Sequence, residues 1–172
     1  MALQIWLPLD GNLNNLGLNP MSFNPINSSS EGILTDINGK IGSCYKRSTS
    51  SAMRLRSSTT IDLNNDFSMA CWLCVDTTND SSAQGIVTNH DHNTYTGAGI
   101  TLKQISTSDC RVSCNTGTGS SRTFNTYYGS TNIFGSWHHL SLTYNKNEER
   151  YRLYVDGEEE ITFIFKNDST GA

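Results

Sequence analysis

The stretch that decides the fold runs Trp137-His138-His139-Leu140-Ser141-Leu142-Thr143-Tyr144, then Asn145-Lys146-Asn147-Glu148-Glu149-Arg150, then Tyr151-Arg152-Leu153-Tyr154-Val155-Asp156-Gly157. Successive side chains of an extended strand point to opposite faces. Leu140, Leu142 and Tyr144 therefore share one face, while Trp137, His139, Ser141 and Thr143 share the other. The polar run 145–150 reads as a turn, and the return segment alternates again with Tyr151, Leu153 and Val155 on one side. Asp156-Gly157 is a tight hairpin signal, because both central positions of such a turn require positive φ. A third strand is expected from about Ile161. The result is a three-stranded antiparallel meander with one apolar face.

The same pattern extends outward. Leu3–Leu7, Ile33–Ile41 (broken by the turn dipeptide Asn38-Gly39), Phe67–Val75, Gly85–Thr88, Gly99–Leu102, Cys110–Cys114, Ser121–Tyr128 and Ile161–Lys166 all read as strands. No window of a dozen residues keeps an apolar stripe at helical spacing. Short strands at this spacing, with no helices between them, predict an all-β antiparallel sandwich or barrel.

Bulk composition agrees. The 172 residues suit a single domain, 1–172, large enough for a core without metals or disulfides. Hydrophobic residues make up 35% and charged residues 16%, and Ser, Thr, Asn and Gly fill the balance as strand surfaces and turns. A net charge of −4 without a basic patch argues against nucleic acid. No apolar run is long enough for a membrane span, and the N-terminus lacks a signal-peptide pattern, so synthesis in a cytoplasm is expected. Cys44, Cys71, Cys74, Cys110 and Cys114 are an odd set for a disulfide framework. Cys71-x-x-Cys74 and Cys110-x-x-x-Cys114 have roughly zinc-site spacing. On a strand, however, an offset of three puts Cys71 and Cys74 on opposite faces, so they read as small buried hydrophobes.

With these residues in view, Trp137–Tyr144 followed by Arg152-Leu153-Tyr154-Val155-Asp156-Gly157 resembles the meander of laminin G-like, concanavalin A-like jelly rolls. Asp62–Trp72 resembles the strand of that family that ends in a buried Trp, and Gln84–Thr88 the strand that follows. The opening Leu7-Pro8-Leu9-Asp10-Gly11-Asn12-Leu13-Asn14-Asn15 resembles the start of such domains in bacteriophage structural proteins. The resemblance implies a jelly roll, a fold that accommodates glycan-binding and glycan-cleaving members. Such domains usually close with a strand beside the first, and nothing near Asn167–Ala172 matches it. The sequence therefore reads as part of a longer polypeptide, or as a chain completed by a partner's strand.

Function is expected in loops. A glycoside hydrolase needs two carboxylates at a set separation across the sheet, and the strand interiors hold almost no acids. Glu158-Glu159-Glu160 follows a turn and reads as a solvated strand edge. His139, beside Trp137, is expected to make a structural hydrogen bond, and no G-x-S-x-G nucleophile motif occurs. The segment with His90, Asp91, His92, Asn93 and Tyr95 joins two strands and could contact a sugar or hold a cation, although a polar hairpin tip is the simpler reading. Calcium, known in related domains, is the one candidate cofactor, and it would favour the oxygens of Asp91 and Asn93. Tyr127, Tyr128 and Asn132 form a second segment read as a loop, in which one tyrosine is core and the other available to stack on a sugar. Trp6, Trp72 and Trp137 read as core.

The first expectation is a non-enzymatic carbohydrate-binding or adhesion module of a bacteriophage virion, on a fibre, tail or head decoration. Its partners would be a host-surface glycan and other virion proteins or copies of itself. The alternative is a purely structural virion protein that mediates assembly, and a polysaccharide hydrolase is a weaker third reading.

Overall fold

The computed structural model describes residues 5, 7, 14, 16–18, 22–26, 39–42, 44, 54–57, 65–76, 84–88, 97–117 and 124–165. The chain forms two compact units, Met1–Thr60 and Ile61–Ala172. In the first, β1 (Phe23–Ile26) pairs antiparallel with β2 (Arg54–Ser57), from Phe23 opposite Ser57 to Ile26 opposite Arg54. The Gly39 N–H donates to the Gly42 carbonyl at 2.7 Å, which places a turn there, but Ile41 is exposed rather than buried in a strand.

The second unit is an all-β antiparallel sandwich, and no helix occurs among the described residues. Its strands are β3 (Phe67–Cys74), β4 (Gln84–Thr88), β5 (Ala98–Ser106), β6 (Asp109–Gly117), β7 (Phe124–Asn132), β8 (Trp137–Asn145), β9 (Arg150–Val155) and β10 (Glu158–Ile164). They build two four-stranded sheets, ordered β10-β9-β8-β3 and β4-β5-β6-β7. Leu3 to Leu7 (apart from Ile5 and Leu7) and residues 166–172, where the expected gap in the closing strand falls, lie outside the described residues.

The meander forms as its alternation dictates. Leu140, Leu142, Tyr144, Tyr151, Leu153 and Val155 are all buried, and Ile161 and Phe163 continue the same face on β10. Ala98, Ile100, Leu102, Cys110, Val112 and Cys114 supply the facing layer from β5 and β6. Each fully buried aliphatic side chain contributes roughly 1.5–3 kcal/mol. Burial pushes the Cys71 thiol up to about 11 and the Cys114 thiol up to about 12, so both stay protonated and behave as small apolar groups. Asp156 and Gly157 both have positive φ, 53° and 93°, as a two-residue hairpin of this hand requires.

A pair of interlocked bulges seals one edge of the sandwich. On β7 the register jumps from Ser113 opposite Tyr128 to Arg111 opposite Asn132, so Gly129, Ser130 and Thr131 bulge out of the ladder. On β10 the register shifts between Glu159 and Ile161, which makes Glu160 the extra residue. Its carboxylate accepts hydrogen bonds from the Ser130 N–H, from the Thr131 N–H at 2.7 Å, and from the Ser130 and Thr131 hydroxyls at 3.1 and 2.7 Å. The bulge turns N–H groups away from the ladder, and the acid from the opposite sheet takes them up. A Cβ on Gly129 would sit 2.7 Å from Glu160 Oε1, so the glycine makes room for the carboxylate. Beneath it, Tyr127 stacks on Phe163 with ring centroids 3.7 Å apart, and Phe163 stacks on Tyr151.

Candidate functional site

Strands β5 and β6 alternate in a way that leaves a second, polar face. Ile100 and Leu102 point to the core, so Gly99, Thr101 and Lys103 point away from it. Likewise Cys110, Val112 and Cys114 point in, and Arg111, Ser113 and Asn115 point out. Cross-strand register assembles rows on this outer face. One row runs Thr88, Gly99, Asn115, Thr126, and the next runs Gly85, Thr101, Ser113, Tyr128. Lys103 lies opposite Arg111 in the row beyond.

The centre of the face is a hydroxyl and amide cluster. Thr101 Oγ1 donates to Asn115 Oδ1 at 3.1 Å and shares a 2.7 Å hydrogen bond with Ser113 Oγ. Thr101 and Ser113 are buried, and mutual bonding offsets the desolvation of their hydroxyls. At its border stands Tyr128, 53% exposed, with Lys103 Nζ 4.3 Å from its ring centroid. Arg111 sits alongside, held by Asp109 through Nε to Oδ1 at 3.1 Å and Nη2 to Oδ2 at 2.9 Å. That fork raises the Arg111 pKa further and fixes the guanidinium.

The residues expected from sequence are distributed as follows. His90, Asp91, His92, Asn93 and Tyr95 lie outside the described residues. Tyr127, Tyr128 and Asn132 are not in a loop as expected but in strand β7. The Gly129–Thr131 bulge gives that segment its turn-like composition, and pairing to β6 keeps it in the sheet. The division of labour between the tyrosines holds, with Tyr127 packed against the core and Tyr128 exposed. Asn132 is a structural staple. Its Oδ1 accepts from the Cys110 and Phe134 N–H groups, both at 3.0 Å, and its Nδ2 donates to the Ser108 carbonyl at 2.9 Å.

Two further expectations are corrected. Trp72 is 44% exposed on the outer face of β3, because Phe67, Met69, Cys71 and Leu73 take the inner positions. Its ring meets His139 edge-on with centroids 5.2 Å apart. The structural hydrogen bonds belong to His138, not the His139 ring. His138 Nδ1 and Asp156 Oδ2 are 2.7 Å apart, and His138 Nε2 shares a 2.8 Å bond with Ser136 Oγ. Asp156 Oδ1 also accepts the His139 N–H at 2.8 Å. The serine, histidine and aspartate thus tie the β9–β10 turn to the start of β8. The His139 N–H, then His138, hold the Asp156 carboxyl below its ordinary range.

Lys103, Thr101, Ser113, Asn115 and Arg111 escaped the sequence reading. The signal was available, since these polar residues alternate with the apolar ones that define strands β5 and β6.

No curated protein matches the chain. Residues 47–172, most of its length and the whole sandwich, match the family model for the concanavalin A-like lectin/glucanases superfamily. Sheet order, alternating core and family match agree, and the chain belongs to the concanavalin A-like lectin/glucanases superfamily.

Proposed function

We propose that this chain is a non-enzymatic carbohydrate-binding module. The observation that carries the reading is the exposed ring of Tyr128, with the Lys103 ammonium over it and Arg111 in the adjoining row, at the border of the polar face of β5 and β6. An aromatic ring packs on the apolar side of a pyranose, and polar side chains beside the ring bond its hydroxyls; Thr101 and Ser113, buried and bonded to each other, support the strands beneath. Among the described residues, the carboxylates next to this face are engaged: Asp109 holds Arg111, and Glu160 caps the β7 bulge. Neither is poised as the acid or base of a glycosidase pair, which supports binding without turnover. The His90–Tyr95 segment, with Asp91, His92 and Asn93, joins β4 to β5 and is proposed to add contacts to the same ligand.

The setting we propose is a bacteriophage particle assembled in the host cytoplasm, where the module touches a host-surface glycan and neighbouring virion proteins or copies of itself. The resemblance of Leu7–Asn15 to phage structural proteins supports it. A glycan array tests the function. Wild-type protein should bind a defined glycan subset, and Tyr128→Ala should lose at least about tenfold in affinity. Failure of the wild-type protein to bind any glycan removes the reading. The second reading, a purely structural virion protein, draws on Trp72 and Ile164, which are exposed on the other sheet. It predicts incorporation into particles without any effect of Tyr128→Ala on attachment.

A further inference from the structure

We infer that the saccharide is anionic, and this rests on the carbohydrate-binding reading above. The argument turns on what covers Tyr128. Lys103 Nζ lies 4.3 Å from the ring centroid, over the surface that a pyranose would occupy. The neighbouring cation, Arg111, is matched by the bidentate Asp109 and feels Glu160 as well. Lys103 has no carboxylate partner among the described residues, and its ammonium lies over the aromatic face of Tyr128. The rows behind it, with Thr101, Ser113 and Asn115, are uncharged. One ammonium is thus left unneutralised at the border of a polar face in a chain of net charge −4.

A sugar that stacks on Tyr128 must displace the ammonium from the ring. A neutral sugar offers the displaced ammonium only hydroxyl acceptors in exchange for the lost cation–π contact. A sugar with a carboxylate offers the displaced ammonium a charge-assisted hydrogen bond beside the ring it has vacated. Lys103 therefore acts as a gate that favours acidic over neutral saccharides, and Tyr128 supplies affinity common to both.

The test compares oligouronates and sialylated glycans with the same glycans whose carboxyls are methyl-esterified, so that only charge differs. Wild-type protein should bind at least one acid form roughly tenfold tighter than its ester, and the preference should shrink as salt rises. Lys103→Met should abolish the preference while holding or raising affinity for the ester. Lys103→Arg should restore it, and thermal melts check that both variants fold. Equal or tighter binding of the esters, or a preference that survives in Lys103→Met, overturns the inference and leaves the carbohydrate reading intact. Absence of binding to every glycan overturns both.

Discussion

Glu160 offers the sharpest test of how the sandwich is sealed. It comes from a bulge on one sheet and accepts four hydrogen bonds in a bulge on the other. Hydrogen bonds to a charged group are each worth about 1.5–3 kcal/mol, so simple addition would give about 6–12 kcal/mol. That sum is too large, because Ser130 and Thr131 are exposed and water can serve their N–H and hydroxyl groups once the acid is gone. We expect Glu160→Ala to cost about 2–3 kcal/mol, and Glu160→Gln about 1 kcal/mol because its amide oxygen still accepts from the bulge. Burial pushes the Glu160 carboxyl up, but the bonds from Thr131 and Ser130 outweigh it and hold the group below its ordinary value. With a depressed folded pKa, this stabilisation is present above the ordinary glutamate range, near pH 4.5, and is lost as pH falls through the folded value. The stability gap between wild type and Glu160→Gln should therefore narrow from pH 7 to pH 3, while other carboxylates cancel in the difference. Urea denaturation at the two pH values measures it. A Glu160→Ala loss under about 0.5 kcal/mol, or a gap unchanged between pH 7 and pH 3, would refute the reasoning.

Other outcomes follow from the same geometry. Gly129→Ala should cost about 1–3 kcal/mol through its contact with Glu160, and most of that loss should vanish in a Glu160→Ala background, as a double-mutant cycle will show. The Tyr151 hydroxyl is buried among aromatic rings with no hydrogen-bond partner among the described residues, so Tyr151→Phe should leave stability unchanged or raise it by about 1 kcal/mol; a melting temperature several degrees lower would mean that the hydroxyl is satisfied in solution. Asp156→Ala should lower stability by about 2 kcal/mol, because it removes the bonds to His138 and the His139 N–H and forces a left-handed alanine. Asp156→Gly keeps the backbone free and should recover part of the loss in a thermal melt.

The fold was legible where a strand has one wet and one dry face. From Trp137 to Gly157 each buried position alternates with a half-buried or exposed one, so the sequence carried its own burial map. The same rule was present in β3 and was overridden by residue type. Phe67, Met69, Cys71 and Leu73 alternate with Ser68, Ala70 and Trp72, and position alone put Trp72 outside. Preference for burial is a property of a residue, but the face is a property of its register, and in a sheet the register decides. Strand β7 failed for a different reason. Tyr127–Asn132 looks like a loop because bulge residues share the composition of turns. What keeps it in the sheet is pairing to β6 and a carboxylate 29 residues away, which no local pattern carries. The candidate site was hidden because it is assembled across strands rather than along one. Gly99–Leu102 and Cys110–Cys114 were read as strands without their faces or partners, and it is cross-strand register that gathers Thr101, Ser113, Asn115, Lys103 and Tyr128 onto one side of the sheet. In a jelly roll, the residues that do not define the strand are the ones free to differ between relatives, so the search for binding chemistry belongs on the face opposite the alternating core.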